Sequence, residues 1–144
     1  MLVQQILKSK GGNAVFTVKP GASVSEAAKL LSEKKIGTLV VSEDGKTVIG
    51  VLSERDIVRE LGKRGAECMA DTVDDMMTKD PVTAVKSDRS DAVLQKMTDG
   101  RFRHMPVVED GELAGIVTLG DVVKARLTEV SMEKEALESM IMGH

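Results

Sequence analysis

The run GVLSERD at residues 50–56 returns as GIVTLGD at residues 115–121. A glycine, two apolar residues, a hydroxyl, two variable residues and an aspartate recur in order, so one strand-to-helix junction is built twice. Self-similarity of this kind decides the architecture before any local propensity does. A shift of 67 residues aligns Val18-Lys19 with Val85-Lys86, Lys29 with Lys96 and Val40-Val41 with Val107-Val108. Past that point a shift of 65 aligns Gly50 with Gly115 and Asp56 with Asp121. The change falls in SEDGKTVI against EDGELA, and both contain Asp-Gly, a hairpin-turn signal that tolerates a length difference. The chain is a tandem repeat of one unit of about 60 residues.

Each unit reads the same way. A short extended piece (VFTV, PVTAV) precedes a helix, and in the first copy Ser23 and Glu26 have capping-box spacing ahead of an apolar stripe of Val24, Ala27, Ala28 and Leu31. A strand (GTLVV, HMPVV), the Asp-Gly turn and a second strand (VIGVL, LAGIV) follow, and a second helix begins near Asp56 or Asp121. The predicted unit is β-α-β-β-α, an α/β (α+β) class. Residues 62–80, polar and punctuated by glycine and proline, read as a linker with one helical turn around Val73–Met77. This divides the chain into 1–61, 62–80 and 81–144. LVQQILK reads as a short edge helix. The C-terminal segment reads as a long helix with Val123, Leu127, Val130, Leu137 and Ile141 on one stripe, which must lie against its own domain or a second chain. Two such units, packed sheet to sheet with approximate two-fold symmetry, bury both sheets and leave two clefts between them.

A chain of 144 residues buries roughly two-thirds of its unfolded surface and needs no metal or disulfide to hold a core. It has no Trp or Tyr, only Phe16 and Phe102, and nine Met, so thioethers fill gaps that rings often fill. The net charge of −3 gives no overall attraction to nucleic acid or to an anionic membrane, so any anion site must be a local patch. The lone Cys68 excludes an internal disulfide and reads as a bystander in a connecting loop. MLVQQILKSK lacks the apolar run and cleavage site of a secretory signal, and no segment approaches the roughly 20 apolar residues of a membrane span. The expected location is the cytoplasm.

At the junctions, a strand that ends in a hydroxyl and enters a helix presents its first backbone N–H groups with partial positive charge. That arrangement suits an anion. Ser53 or Thr118 could donate to a phosphate oxygen, while the carboxylate of Asp56 or Asp121 suits the paired hydroxyls of a ribose. Gly50 and Gly115 would admit close approach of another backbone. The same spacing also makes plain capping boxes, in which hydroxyl and carboxylate satisfy the helix itself, and the motif leaves both readings open.

The second copy carries GRFRHMP, residues 100–106. As an extended segment it places Arg101 and Arg103 on one face and Phe102 and His104 on the other. Guanidinium groups pair with phosphate and an aromatic ring stacks on a base. Core packing for Phe102 and a solvated edge for the arginines are the alternatives. His104 has no second His or Cys at ligand spacing, which argues against a metal site. No GxSxG, Walker-type or GxGxxG motif is present, and no catalytic constellation is expected.

With these residues in view, the chain resembles the CBS domain pair, or Bateman module. VIGVLSERDIVRELGKRG, DDMMTKDPVT and GRFRHMPVVEDGELAGIVTLGDVVK carry the likeness, which runs from about Ala14 to Arg126. The resemblance implies a non-enzymatic regulatory module that binds AMP, ADP, ATP, S-adenosylmethionine or NAD(H) between the units, with no catalytic cofactor. It implies ribose contacts from Asp56 and Asp121 and phosphate or ribose contacts from Ser53 and Thr118. Thr17-Val18, Val82-Thr83, Ile36-Gly37-Thr38 and His104-Met105-Pro106 would flank the adenine. Phe102, Arg103 and His104 would reach base or phosphates, with Arg55, Leu119 and Gly120 beside them. Lys35-Ile36-Gly37 stands where the second copy has Phe102-Arg103-His104, and Glu54-Arg55 where it has Leu119-Gly120. Repulsion by Glu54 therefore predicts that the Asp121 cleft suits a phosphorylated nucleotide better. The resemblance further implies a homodimer acting on a separate regulated protein, with no nucleic acid or membrane partner. The competing expectations are a structural dimerisation module without ligand and an NADH-linked oxidoreductase.

Overall fold

The computed structural model describes residues 1–10 and 15–142. Ala14, where the resemblance begins, and His144 lie outside them. The first unit runs β1 (Thr17–Val18), α2 (Val24–Lys34), β2 (Thr38–Val41), β3 (Gly50–Ser53) and α3 (Glu54–Arg64), after an N-terminal α1 (Val3–Ser9). The second runs from an isolated bridge at Ala84 through α5 (Ser90–Gly100), β5 (His104–Glu109) and β6 (Glu112–Thr118) into α6 (Leu119–Ile141). Between them lie a 3₁₀ turn (Gly65–Ala70), α4 (Val73–Met76) and β4 (Thr78–Lys79). The β-α-β-β-α order is thus present twice.

Local chemistry accounts for the boundaries. Ser23 caps α2 by accepting from the Glu26 N–H at 3.1 Å, and the helix ends at Lys35 in the left-handed region. α5 ends the same way at Arg101, φ 56°. The second hairpin turns through Asp110 (φ 52°) and Gly111 (φ 80°), the two positive values that a tight primed turn requires. In the first copy β2 and β3 are joined instead by a longer loop in which the Asp44 carboxylate accepts from the Lys46 and Thr47 N–H groups at 2.8 and 2.7 Å. Those bonds hold its carboxyl well below the usual range.

Strand pairing corrects the repeat offset. The helices start at Val24 and Ser90, and Thr38 opposes Ser53 where His104 opposes Thr118. The first half of the unit therefore repeats at 66 residues, not 67. Leu39 and Val41 then superpose on Met105 and Val107, all fully buried. The 67-residue alignment put Val40-Val41 on Val107-Val108, a one-residue slip that would turn each strand over.

The larger correction concerns segments that looked peripheral. Cys68, Val73 and Met76, expected in a linker, are buried in the first unit's core with Val24, Leu31, Leu39, Leu52 and Ile57. Val3, Ile6 and Leu7 of α1, grouped with the first unit in the sequence division, are buried in the second unit's core with Val93, Met97, Met105, Val107 and Val117. α1 and α4 are counterparts. The Val3 N–H donates to Asp88 O at 2.9 Å and the Val73 N–H to Ala22 O at 2.8 Å. Each unit is completed by the helix that precedes the other, and this exchange ties the two halves together.

The glycines of the repeated motif receive these helices. A β-carbon on Gly50 would lie 2.5 Å from Met77 Sδ and 2.8 Å from the Thr78 carbonyl oxygen; one on Gly115 would lie 2.9 Å from a Leu7 methyl. Close approach is met at both, by backbone at Gly50 and by a side chain at Gly115.

Candidate functional site

Both junctions form complete capping boxes. The Asp56 N–H donates to Ser53 Oγ at 3.2 Å and the Ser53 N–H to Asp56 Oδ2 at 2.9 Å; the Thr118 and Asp121 distances are 3.1 and 2.9 Å. The Glu54 N–H donates to Gly37 O at 2.9 Å and the Leu119 N–H to Arg103 O at 2.8 Å. Each helix start is therefore stitched to the strand entry beside it, and two of its first three N–H groups are consumed internally.

The carboxylates are left in different company. Asp56 is buried, with Oδ2 on Ser53 and Oδ1 on the Arg59 guanidinium at 2.9 Å. Arg59 is half exposed, so Oδ1 is the oxygen for which a ribose can compete. Asp121 Oδ2 instead accepts from Lys10 Nζ at 2.9 Å, and Lys10 also donates to Ile116 O at 3.0 Å. Burial alone would raise the Asp121 pKa, but the Lys10 ammonium and the Thr118 N–H outweigh it and hold the carboxyl below its ordinary value.

Around Asp56 a cleft of about 580 Å³ opens between the units, a size that suits a nucleotide. β2 and β3 contribute Thr38, Val51 and Ser53; the start of α3 contributes Arg55, Asp56 and Arg59. The crossing segment adds Thr78, Asp80, Pro81 and Val82, and the α5–β5 turn adds Gly100 to His104. Four arginines (Arg55, Arg59, Arg101 and Arg103) thus face two carboxylates, Asp56 and Asp80. Phe102 packs against the second core and also lines the cleft. The expected alternation of faces through residues 101–104 does not hold. Arg101 is a left-handed helix cap rather than extended backbone, and all four residues border the cleft.

One group there is unsatisfied. Thr38 is 8% exposed, and its Oγ1 has no hydrogen-bond partner among the described residues. A buried hydroxyl without a partner costs about 1–3 kcal/mol. In a cleft wall its partner can come from a ligand or from water.

Of the residues expected at a site, the structure gathers Thr38, Ser53, Arg55, Asp56, Val82, Phe102, Arg103 and His104 into this cleft. Thr118, Leu119, Gly120 and Asp121 form the other junction. Thr17 and Val18 pair with β2, half buried, while Thr83 is exposed and outside the cleft lining. Met105 is fully buried core, and Pro106 is buried with its carbonyl accepting from the Ala84 N–H at 2.9 Å. Ile36 and Gly37 line a shallower depression of about 470 Å³ on the first unit with Lys35, Glu54 and Val58. Arg59, Asp80 and Lys10 were not singled out. The hydroxyl-x-x-Asp motif extended by one helical turn, to Arg59, was the signal available for the first.

Glu54 also departs from expectation. Its carboxylate lies beside Gly37, 3.4 Å from where a β-carbon would stand, with His104 Nε2 3.5 Å from the same point. It is absent from the Asp56 cleft lining. Burial first, then Arg103 and Lys10, hold the His104 pKa below the usual imidazole range against the pull of Glu54 and Asp121, so the ring is neutral at pH 7. Glu54 therefore does not stand in the Asp56 cleft, where four arginines do. Because the offset is 66, Arg103 stands where the first copy has Gly37, and His104 where it has Thr38.

No group of three or more His, Cys, Asp or Glu placed to hold a metal ion occurs among the described residues, and no described helix is long and apolar enough to cross a membrane.

The model of the CBS domain family matches residues 12–63 and 73–128, one match per repeat. The chain belongs to the CBS-domain family. Solved CBS structures share its fold. A CBS-domain containing protein from Agrobacterium tumefaciens is 44% identical with a TM-score of 0.82, over 88% of this chain and 99% of that one. A CBS domain protein from Pyrobaculum aerophilum, complexed with AMP, is 25% identical with a TM-score of 0.78, over 92% and 99%. The CBS domain pair of the protein MJ0100, in complex with 5-methylthioadenosine and S-adenosyl-L-methionine, is 28% identical with a TM-score of 0.76, over 90% and 98%.

Proposed function

We propose that the protein is a regulatory, non-catalytic module that binds an adenine nucleotide in the Asp56 cleft and signals, as a homodimer, to a separate protein. The observation that carries this reading is the unsatisfied Thr38 hydroxyl in a cleft ringed by four arginines. The arginines supply charge-assisted donors to phosphate, Asp56 Oδ1 accepts from a ribose, and Val51, Pro81, Val82 and Phe102 give apolar walls for a base. AMP bound to one relative, and two adenosyl compounds bound to another, support the ligand class. AMP, ADP, ATP and NAD(H) are the candidates. Bound phosphate draws Arg55 and Arg59 of one unit toward Arg101 and Arg103 of the other, so the ligand favours one inter-unit angle over another; that differential affinity is what a signal requires.

A structural role without ligand draws on the capping boxes, which are complete in both copies, but it leaves the orphan hydroxyl and the arginines without a purpose. Thermal-shift and calorimetric titration with AMP, ADP, ATP and NADH decides between the two. Stabilisation by at least one is expected; a folded sample indifferent to all four overturns the proposal.

A further inference from the structure

The last three turns of α6 have no cover. Every described residue from Val130 to Met142 is exposed, while the earlier part of the helix is anchored by buried Val122 and Ala125. Glu129 marks the edge, where it accepts from Ser90 Oγ at 2.9 Å and pairs with the N-terminal ammonium. Beyond it about 18 Å of helix projects. So short a helix is marginal in water alone.

Its pattern specifies what covers it. Val123, Leu127, Val130, Lys134, Leu137 and Ile141 recur at alternating spacings of four and three, the seam of a coiled coil, and the five apolar ones are exposed. The charges are biased along the helix: Lys124 and Arg126 stand toward the start with Asp121 and Glu129, while Glu133, Glu135 and Glu138 outnumber Lys134 toward the end, and the last turn has no basic residue. Acidic groups at a helix C-terminus are unfavourable by themselves and become favourable beside the basic start of an antiparallel neighbour. A parallel pair would set Lys134 against Lys134 and Glu133 against Glu138 twice. An antiparallel pair centred near Met132 sets Leu127 on Leu137, Val123 on Ile141, Val130 on the Lys134 stem and Lys124 beside Glu138, each twice, leaving one Glu133–Glu133 approach.

We propose that a second copy of this chain covers the stripe, its α6 running antiparallel. This gives the homodimer of the preceding section a specific surface and rests on that reading, but not on which nucleotide binds. Leu127→Cys and Leu137→Cys chains, co-expressed and mildly oxidised, test it. Both positions are exposed, so neither change endangers folding, and Cys68 is buried. A disulfide forming only in the mixture is expected, because like positions lie about 15 Å apart along an antiparallel pair. Lys124→Glu should weaken the dimer several-fold in sedimentation, and adding Glu138→Lys should restore it. A disulfide in Leu127→Cys alone would show a parallel pair and overturn the proposal. A dimer that forms no cross-link and ignores Lys124→Glu overturns it while leaving the homodimer intact; a monomer at all concentrations overturns both.

Discussion

Asp56 and Asp121 hold equivalent places in two copies of one unit, cap equivalent helices through equivalent hydrogen bonds, and face different chemistry. Asp56 looks into an open cleft and shares one oxygen with a half-exposed arginine from its own helix. Asp121 is held by Lys10, delivered by the segment that completes the second unit. Lys10 and Asp80 stand equally far from the first residues of α1 (Val3) and α4 (Val73), so one exchanged segment brings a cation to its carboxylate and the other brings a second carboxylate to its cleft. The repeat determines where a site can be. The crossing segments determine what each carboxylate meets there.

The most drastic way to erase the difference is to discharge the open cleft. Arg55→Ala with Arg103→Ala removes one charge-assisted donor from each unit, and at about 1.5–3 kcal/mol each the pair should weaken AMP binding on the order of 100-fold or more. Calorimetric titration reads it; a change under threefold would mean that these arginines do not meet the phosphate. Thr38→Val sharpens the comparison at a smaller scale because its two effects have opposite sign. Removing the orphan hydroxyl should stabilise the ligand-free protein by about 1 kcal/mol in urea unfolding and weaken nucleotide binding several-fold. Loss of stability would show that the hydroxyl is satisfied within the chain. The mildest change acts on the other junction. With its folded-state pKa held below the ordinary 3.8, Asp121 contributes stability that is present above about pH 4 and lost as pH falls through the depressed value. Lys10→Met should flatten that acid-side loss by less than about 1 kcal/mol, since the pair is partly solvated. An unchanged profile below pH 4 would show that Lys10 does not hold the carboxylate.

What could be read in the residues divides along a physical line. The junction motif, the second Asp-Gly turn, the Ser23 cap and the β-α-β-β-α order are local, set by neighbours within a few positions, and they are found in the fold. The repeat offset was misread by one because Leu39-Val40-Val41 and Met105-Pro106-Val107-Val108 are apolar runs along which identity carries no register; hydrogen bonding between strands supplies it. Residues 62–80 looked solvated because Cys68, Val73 and Met76 are scattered among charges, and their burial depends on a core assembled from distant segments. The site was legible to the same degree. Ser53, Asp56, Phe102, Arg103 and His104 were named, but Glu54 points away from the cleft beside its own motif, and Lys10 reaches Asp121 across 111 positions of sequence. Neither fact has a local signature.

The central claim is that the nucleotide binds at Asp56 and not at Asp121. Asparagine at either position keeps an oxygen to accept the capping hydrogen bond while removing the charge, so each variant should fold. Calorimetric titration of AMP into the wild type, Asp56→Asn and Asp121→Asn should give one site per chain in the wild type, its loss at least tenfold in Asp56→Asn, and little change in Asp121→Asn. Binding that survives Asp56→Asn and disappears in Asp121→Asn would contradict the account.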